Sequence, residues 1–127
     1  MKSAMANRDT SIIRVRDVLM VTLPSDPDDA TIVSLQESVL GELEKSEAKG
    51  LIMDISAVEI FDSFFARTVS ETARMVTLMG GRTIIAGMRP SVAVTATQLG
   101  LVLKKVETAL TVDLALDRIG HPREAAR

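Results

Sequence analysis

The feature of this sequence that most restricts its fold is an alternation. Short apolar runs rich in β-branched residues are followed, four times over, by longer stretches with an apolar residue at every third or fourth position. The first pattern suits buried or half-buried strands and the second suits amphipathic helices. The opening runs, Ser11–Val15 and Val18–Leu23, are separated by Arg16-Asp17, the spacing of a tight hairpin. Pro24–Asp29 then breaks the chain. Asp28 is placed to cap a helix running to about Glu47, with Asp29 against its positive end and Ile32, Leu35, Val39 and Leu43 on its inner face. Gly50 is expected to end that helix, and Leu51–Ile55 reads as a central strand. The loop Ser56–Asp62 leads into a helix from Ser63 to about Met79 with an inward stripe of Phe65, Val69, Ala73 and Val76. Gly80-Gly81 stops it. Thr83–Met88 is a further strand. Pro90 and Ser91 open a third helix that Gly100 closes, Val106–Val112 is a last strand, and Asp113 is expected to cap a short helix ending near Gly120. The sum is an α/β layer fold, mostly parallel after the hairpin, with about four helices.

Length adds that 127 residues suit one domain, here 1–127 with a core of about 11–119 and polar ends; His121–Arg127 reads as a frayed tail. Without cysteine, disulfides and thiolate metal sites are excluded, and a cytoplasmic setting is expected. Met1–Thr10 is polar and does not read as a secretory signal. A net charge of −2 gives no pull towards nucleic acid or an anionic membrane, and three phenylalanines are the whole aromatic content, too little for a base-stacking surface.

The segment from Val58 to Arg67 is the most informative for chemistry. At a helix start, either Asp62 or Ser63 can be the N-cap, a purely structural role. The same geometry suits a modification site, because a phosphate there meets free N–H groups and brings about −1.5 to −2 charges beside Asp62. Phe61 and Phe64 flank the site as an exposed contact patch or as core, which spacing does not separate. Arg67 and Arg74, seven apart, share one side of the helix; they, Arg82 and Arg89 read as a solvated face. A small enzyme is the rival class. A nucleophile elbow needs glycines two positions either side of the serine, where Phe61 and Phe65 stand, and the one histidine, His121, lies in the tail. Asp26, Asp28 and Asp29 lack the pattern of a calcium loop, and the seven glycines form no phosphate-binding fingerprint, so no metal and no cofactor are expected.

Five blocks in order carry a family resemblance: Gly50-Leu51-Ile52-Met53-Asp54-Ile55-Ser56, Asp62-Ser63-Phe64, Thr72-Ala73-Arg74-Met75-Val76, Leu78-Met79-Gly80 and Gly87-Met88-Arg89-Pro90-Ser91-Val92-Ala93. From Ile12 to Ile119 the chain resembles the STAS domain of bacterial anti-sigma-factor antagonists, and most of all the RsbS-type members of the stressosome branch. The resemblance implies a non-catalytic regulatory scaffold whose Ser63 is phosphorylated by an RsbT-type serine/threonine kinase. It further implies co-assembly with RsbR-type STAS proteins in a large particle, release of the kinase on modification, and resetting by an RsbX-type phosphatase. Asp62, Phe64 and Arg67 would be the neighbouring residues of the switch surface. The alternative within the family is a free antagonist of an anti-sigma kinase. Those proteins usually carry a glycine two residues after the serine, where Phe65 stands here, which favours the stressosome branch; RsbR-type proteins carry an added N-terminal module, which argues against an RsbR-type identity.

Overall fold

In a computed structural model, residues 11–99 and 106–119 are described. β1 (Ser11–Val15) and β2 (Val18–Thr22) form the antiparallel hairpin, with Val15 opposite Val18. Arg16 takes a left-handed backbone at the turn (φ 57°), and Arg14 secures it by donating from Nε to the Arg16 carbonyl at 2.9 Å. α1 (Asp29–Ser46) begins at Asp28, whose carboxylate accepts from the Thr31 N–H at 2.8 Å, and it buries the four residues that its spacing predicts. Its end differs from the expectation. Glu47 takes the left-handed conformation (φ 57°) and donates its N–H to the Leu43 carbonyl, whereas Gly50 is already the first residue of β3 (Gly50–Asp54).

α2 (Ser63–Leu78) buries Phe65, Val69, Ala73 and Val76 as predicted. It closes in a Schellman arrangement: Gly80 (φ 91°) donates to Thr77 and Gly81 to Val76, both through backbone N–H groups. β4 (Arg82–Ala86) ends earlier than the apolar run suggests because Gly87 turns to φ 79°. α3 (Pro90–Gln98) starts with proline at a position whose N–H has no helical partner anyway. Gly100, the expected stop, lies outside the described residues, as do Met1–Thr10 and the tail His121–Arg127.

The last strand is shorter than its composition suggests. β5 is only Glu107–Ala109, and Val112 opens α4 (Val112–Ile119) instead of extending the strand. Thr111 decides this: its hydroxyl accepts from the Leu114 N–H at 3.1 Å and its carbonyl accepts from the Ala115 N–H. Thr111 is therefore the cap, and Asp113 stands in the first turn.

The five described strands lie in the order β1-β2-β3-β4-β5, with every pair after the hairpin parallel. Right-handed crossovers between strands added in chain order place α1, α2 and α3 on one face. There Leu19, Val21, Leu51, Met53 and Ile85 of the sheet pack against residues of all three helices. α4 covers the opposite face, where Ala115 meets Val18, Ile52, Ile84 and Ala86. Gly50 makes room for it, since a Cβ there would lie 2.5 Å from Ile119 Cδ1. Arg82 departs from the solvated face expected of it. It forms a mostly buried ion pair with Glu107 at 2.8 Å and reaches the Arg118 and Ile119 carbonyls at the end of α4.

Candidate functional site

The loop Ser56–Asp62 leaves the carboxyl end of β3 and is held from three sides. Asp54 accepts the Ser56 N–H at 3.0 Å, so the end of the strand shapes the first turn. The Glu59 and Ile60 N–H groups both donate to the Ser25 carbonyl, at 2.8 and 3.3 Å, which ties the loop to the β2–α1 connection. From the other side Arg89 donates from Nε to the Ser56 carbonyl at 2.9 Å and stands 3.8 Å from the Glu59 carboxylate. Gly87 allows this approach, because a Cβ on it would lie 2.9 Å from Ser56 Cβ. Val58 and Phe61 point inward and are buried, so the loop has its own apolar footing.

This frame delivers the start of α2, and the structure resolves which residue caps it. Asp62 has extended backbone (φ −101°, ψ −178°), and its carboxylate accepts from the Phe65 N–H at 2.9 Å. Its carbonyl accepts the Ala66 N–H at 3.0 Å. Ser63 is thus the first helical residue, exposed, with a hydroxyl that makes no hydrogen bond among the described residues. A capping hydroxyl would be bound to backbone, and here the Asp62 carboxylate fills that place.

Of the two flanking aromatics, Phe61 is core (5% exposed), its ring centroid 5.1 Å from that of Phe65. Phe64 is half-buried against the same core. Arg67 and Arg74 are exposed along α2, as their spacing suggests. Ile60, 53% exposed, is a surface residue of the loop that the sequence reading missed. Its backbone N–H is bound to the Ser25 carbonyl at 3.3 Å.

The chemistry open to this site is that of a presented hydroxyl. Phe61 and Phe65, buried on either side, fill the positions where a nucleophile elbow requires glycine. Among the described residues no group of three or more His, Asp or Glu side chains is placed to hold a metal ion, and no helix is long and apolar enough to cross a membrane. Asp28, in the neighbouring loop, has its carboxyl held below the usual range, first by a hydrogen bond from the Thr31 side chain and then by the Thr31 N–H.

A serine-to-glutamate variant of RsbS from Moorella thermoacetica superposes with a TM-score of 0.78 at 32% identity, covering 87% of this chain and 94% of its own. A chain from a structure of the stressosome, described as a signal integration and transduction hub, gives 0.77 at 33% identity, covering 92% and 99%. In sequence, the RsbT co-antagonist protein RsbRD of Bacillus subtilis is 34% identical over 87 residues, which are 68% of this chain; the match spans only 31% of that longer relative. The family profile itself matches residues 9–115, taking in all five described strands, the Ser56–Asp62 loop and the helix that presents Ser63. By that match and that architecture, the chain belongs to the STAS domain family.

Proposed function

We propose that the chain is a regulatory, non-catalytic STAS scaffold of a stressosome-type complex, acting as one domain in the cytoplasm, and that Ser63 is its phosphorylation site. The observation that carries this reading is the division of labour at the start of α2: Asp62 caps the helix, and the Ser63 hydroxyl is exposed and uncommitted. The likeness to RsbS and to a stressosome chain supports the assembly, and the RsbT co-antagonist relatives support an RsbT-type kinase as the partner held. In the modification, Ser63 Oγ bonds to the γ-phosphorus of ATP while the bond to the β,γ-bridging oxygen breaks. ADP leaves, and the hydroxyl proton passes to a base of the kinase. An RsbX-type phosphatase would return the serine by hydrolysis. RsbR-type proteins are the co-assembling partners.

The test is incubation with an RsbT-type kinase and Mg-ATP, followed by mass spectrometry of the wild type and of Ser63→Ala. One phosphate on Ser63 and none on the variant is the expected result. A full equivalent on Ser63→Ala would move the site elsewhere.

A further inference from the structure

We propose that Arg67 is the positioning residue of this switch: once Ser63 carries a phosphate, the Arg67 guanidinium takes it in a charge-assisted pair across one turn of α2. This inference rests on the reading of Ser63 as a phosphorylated residue, and it concerns what the helix does with the phosphate. α2 is continuous from Ser63 to Leu78, so residues 63 and 67 are neighbours on its surface at the i, i+4 spacing. Both are exposed, whereas Phe65 and Ala66 between them are buried, which turns the pair to the outside. The order is the favourable one, with the anion N-terminal to the cation.

Arg67 is also uncommitted. It makes no ion pair or hydrogen bond among the described residues, unlike Arg14, Arg82, Arg89 and Arg118. Glu71 lies four residues beyond Arg67 in the unfavourable order and does not pair with it. Of the other charges around the helix start, Asp62 is engaged with the Phe65 N–H, and Glu59 lies opposite Arg89. Asp26 and Asp28 belong to the adjoining loop, Asp28 bonded to Thr31. A planar guanidinium suits a phosphate because two of its N–H groups can meet two phosphate oxygens at once. Unmodified Ser63 offers nothing of the kind. Phosphorylation would therefore do two things together: add an anion, and withdraw the Arg67 cation from the surface that a partner meets.

The test uses the full chain with phosphoserine installed at position 63 during translation, so no kinase is needed. The phosphate's second ionisation is followed by phosphorus NMR. An Arg67 counter-ion holds that midpoint below its ordinary value of about 6, and Arg67→Gln should raise it by roughly 0.2–0.4 pH unit. Arg67→Lys should recover part of the difference, since it keeps the charge and loses the fork. Arg74→Gln, equally exposed and two turns further on, should leave the midpoint unchanged. An unchanged midpoint in Arg67→Gln, or an equal rise in Arg74→Gln, would overturn the assignment. If instead kinase labelling fails at Ser63, the phosphosite reading falls while this titration still reports on the pair.

Discussion

Asp62 and Ser63 are adjacent polar residues at one helix start, and their backbone conformations separate their tasks. Asp62, extended, points its carboxylate back at the Phe65 N–H, and Ser63, helical, turns its hydroxyl to solvent. Phe65 anchors both from beneath, being 2% exposed with its ring tilted at 45° against that of Phe61. Phe65→Ser should therefore cost about 3–5 kcal/mol, the range for losing a buried phenylalanine. In thermal denaturation the midpoint should fall by roughly 10 °C or more. An unchanged midpoint would mean that α2 does not bury this side chain.

At the scale of elements, α1 and α2 begin in the same way, each with an aspartate accepting from the third residue on. Asp62→Ala should cost about 1 kcal/mol, the usual worth of such a cap, with the loss seen in urea denaturation and Ser63 still exposed. Asp28 adds a dependence on pH. Its carboxyl titrates below the usual range in the folded protein, so its stabilisation is complete above the unfolded value of about 3.9 and is lost as pH falls through the lower folded value. Asparagine also caps helices but does not ionise. The stability advantage of the wild type over Asp28→Asn should thus hold at neutral pH and shrink in acid below about pH 4. A gap that stays constant down to pH 2 would remove the carboxylate's charge from the account.

For the whole molecule, the two ends of the sheet carry different duties. The Arg82–Glu107 pair and the end of α4 lie at the start of β4, whereas Ser63 follows the carboxyl end of β3. A change at Ser63 therefore meets an anchored frame rather than the seam between β5 and α4. Phosphorylation is expected to weaken kinase binding by changing the surface, without refolding the domain. A desolvated phosphate beside Asp62 at an interface places like charges together, and a loss of about 2.7 kcal/mol already lowers affinity a hundredfold. Circular dichroism and melting should match before and after stoichiometric phosphorylation while kinase affinity drops. A broad spectral change, or affinity that does not fall, would rule this mechanism out.

The order of elements could be read without coordinates, because apolar period and glycine or proline stops are local properties of the chain. The inward stripes of α1 and α2, the hairpin at Arg16-Asp17 and the Asp-Ser pair at a helix start all follow from spacing alone. What spacing could not settle were choices between neighbours with similar chemistry. Asp62 and Ser63 can both cap, Phe61 and Phe64 can both be core, and Val112 suits a strand as well as a helix. Each was decided by contacts from distant sequence or by a competing hydrogen bond: the Ser25 carbonyl and Arg89 set the loop, Phe65 draws Phe61 inward, and Thr111 captures the next helix. Arg82 is the clearest case. Its partners stand 25 and more residues away, so nothing local marks it as other than a surface cation, and only the pairing of β4 with β5 and the return of α4 bury it.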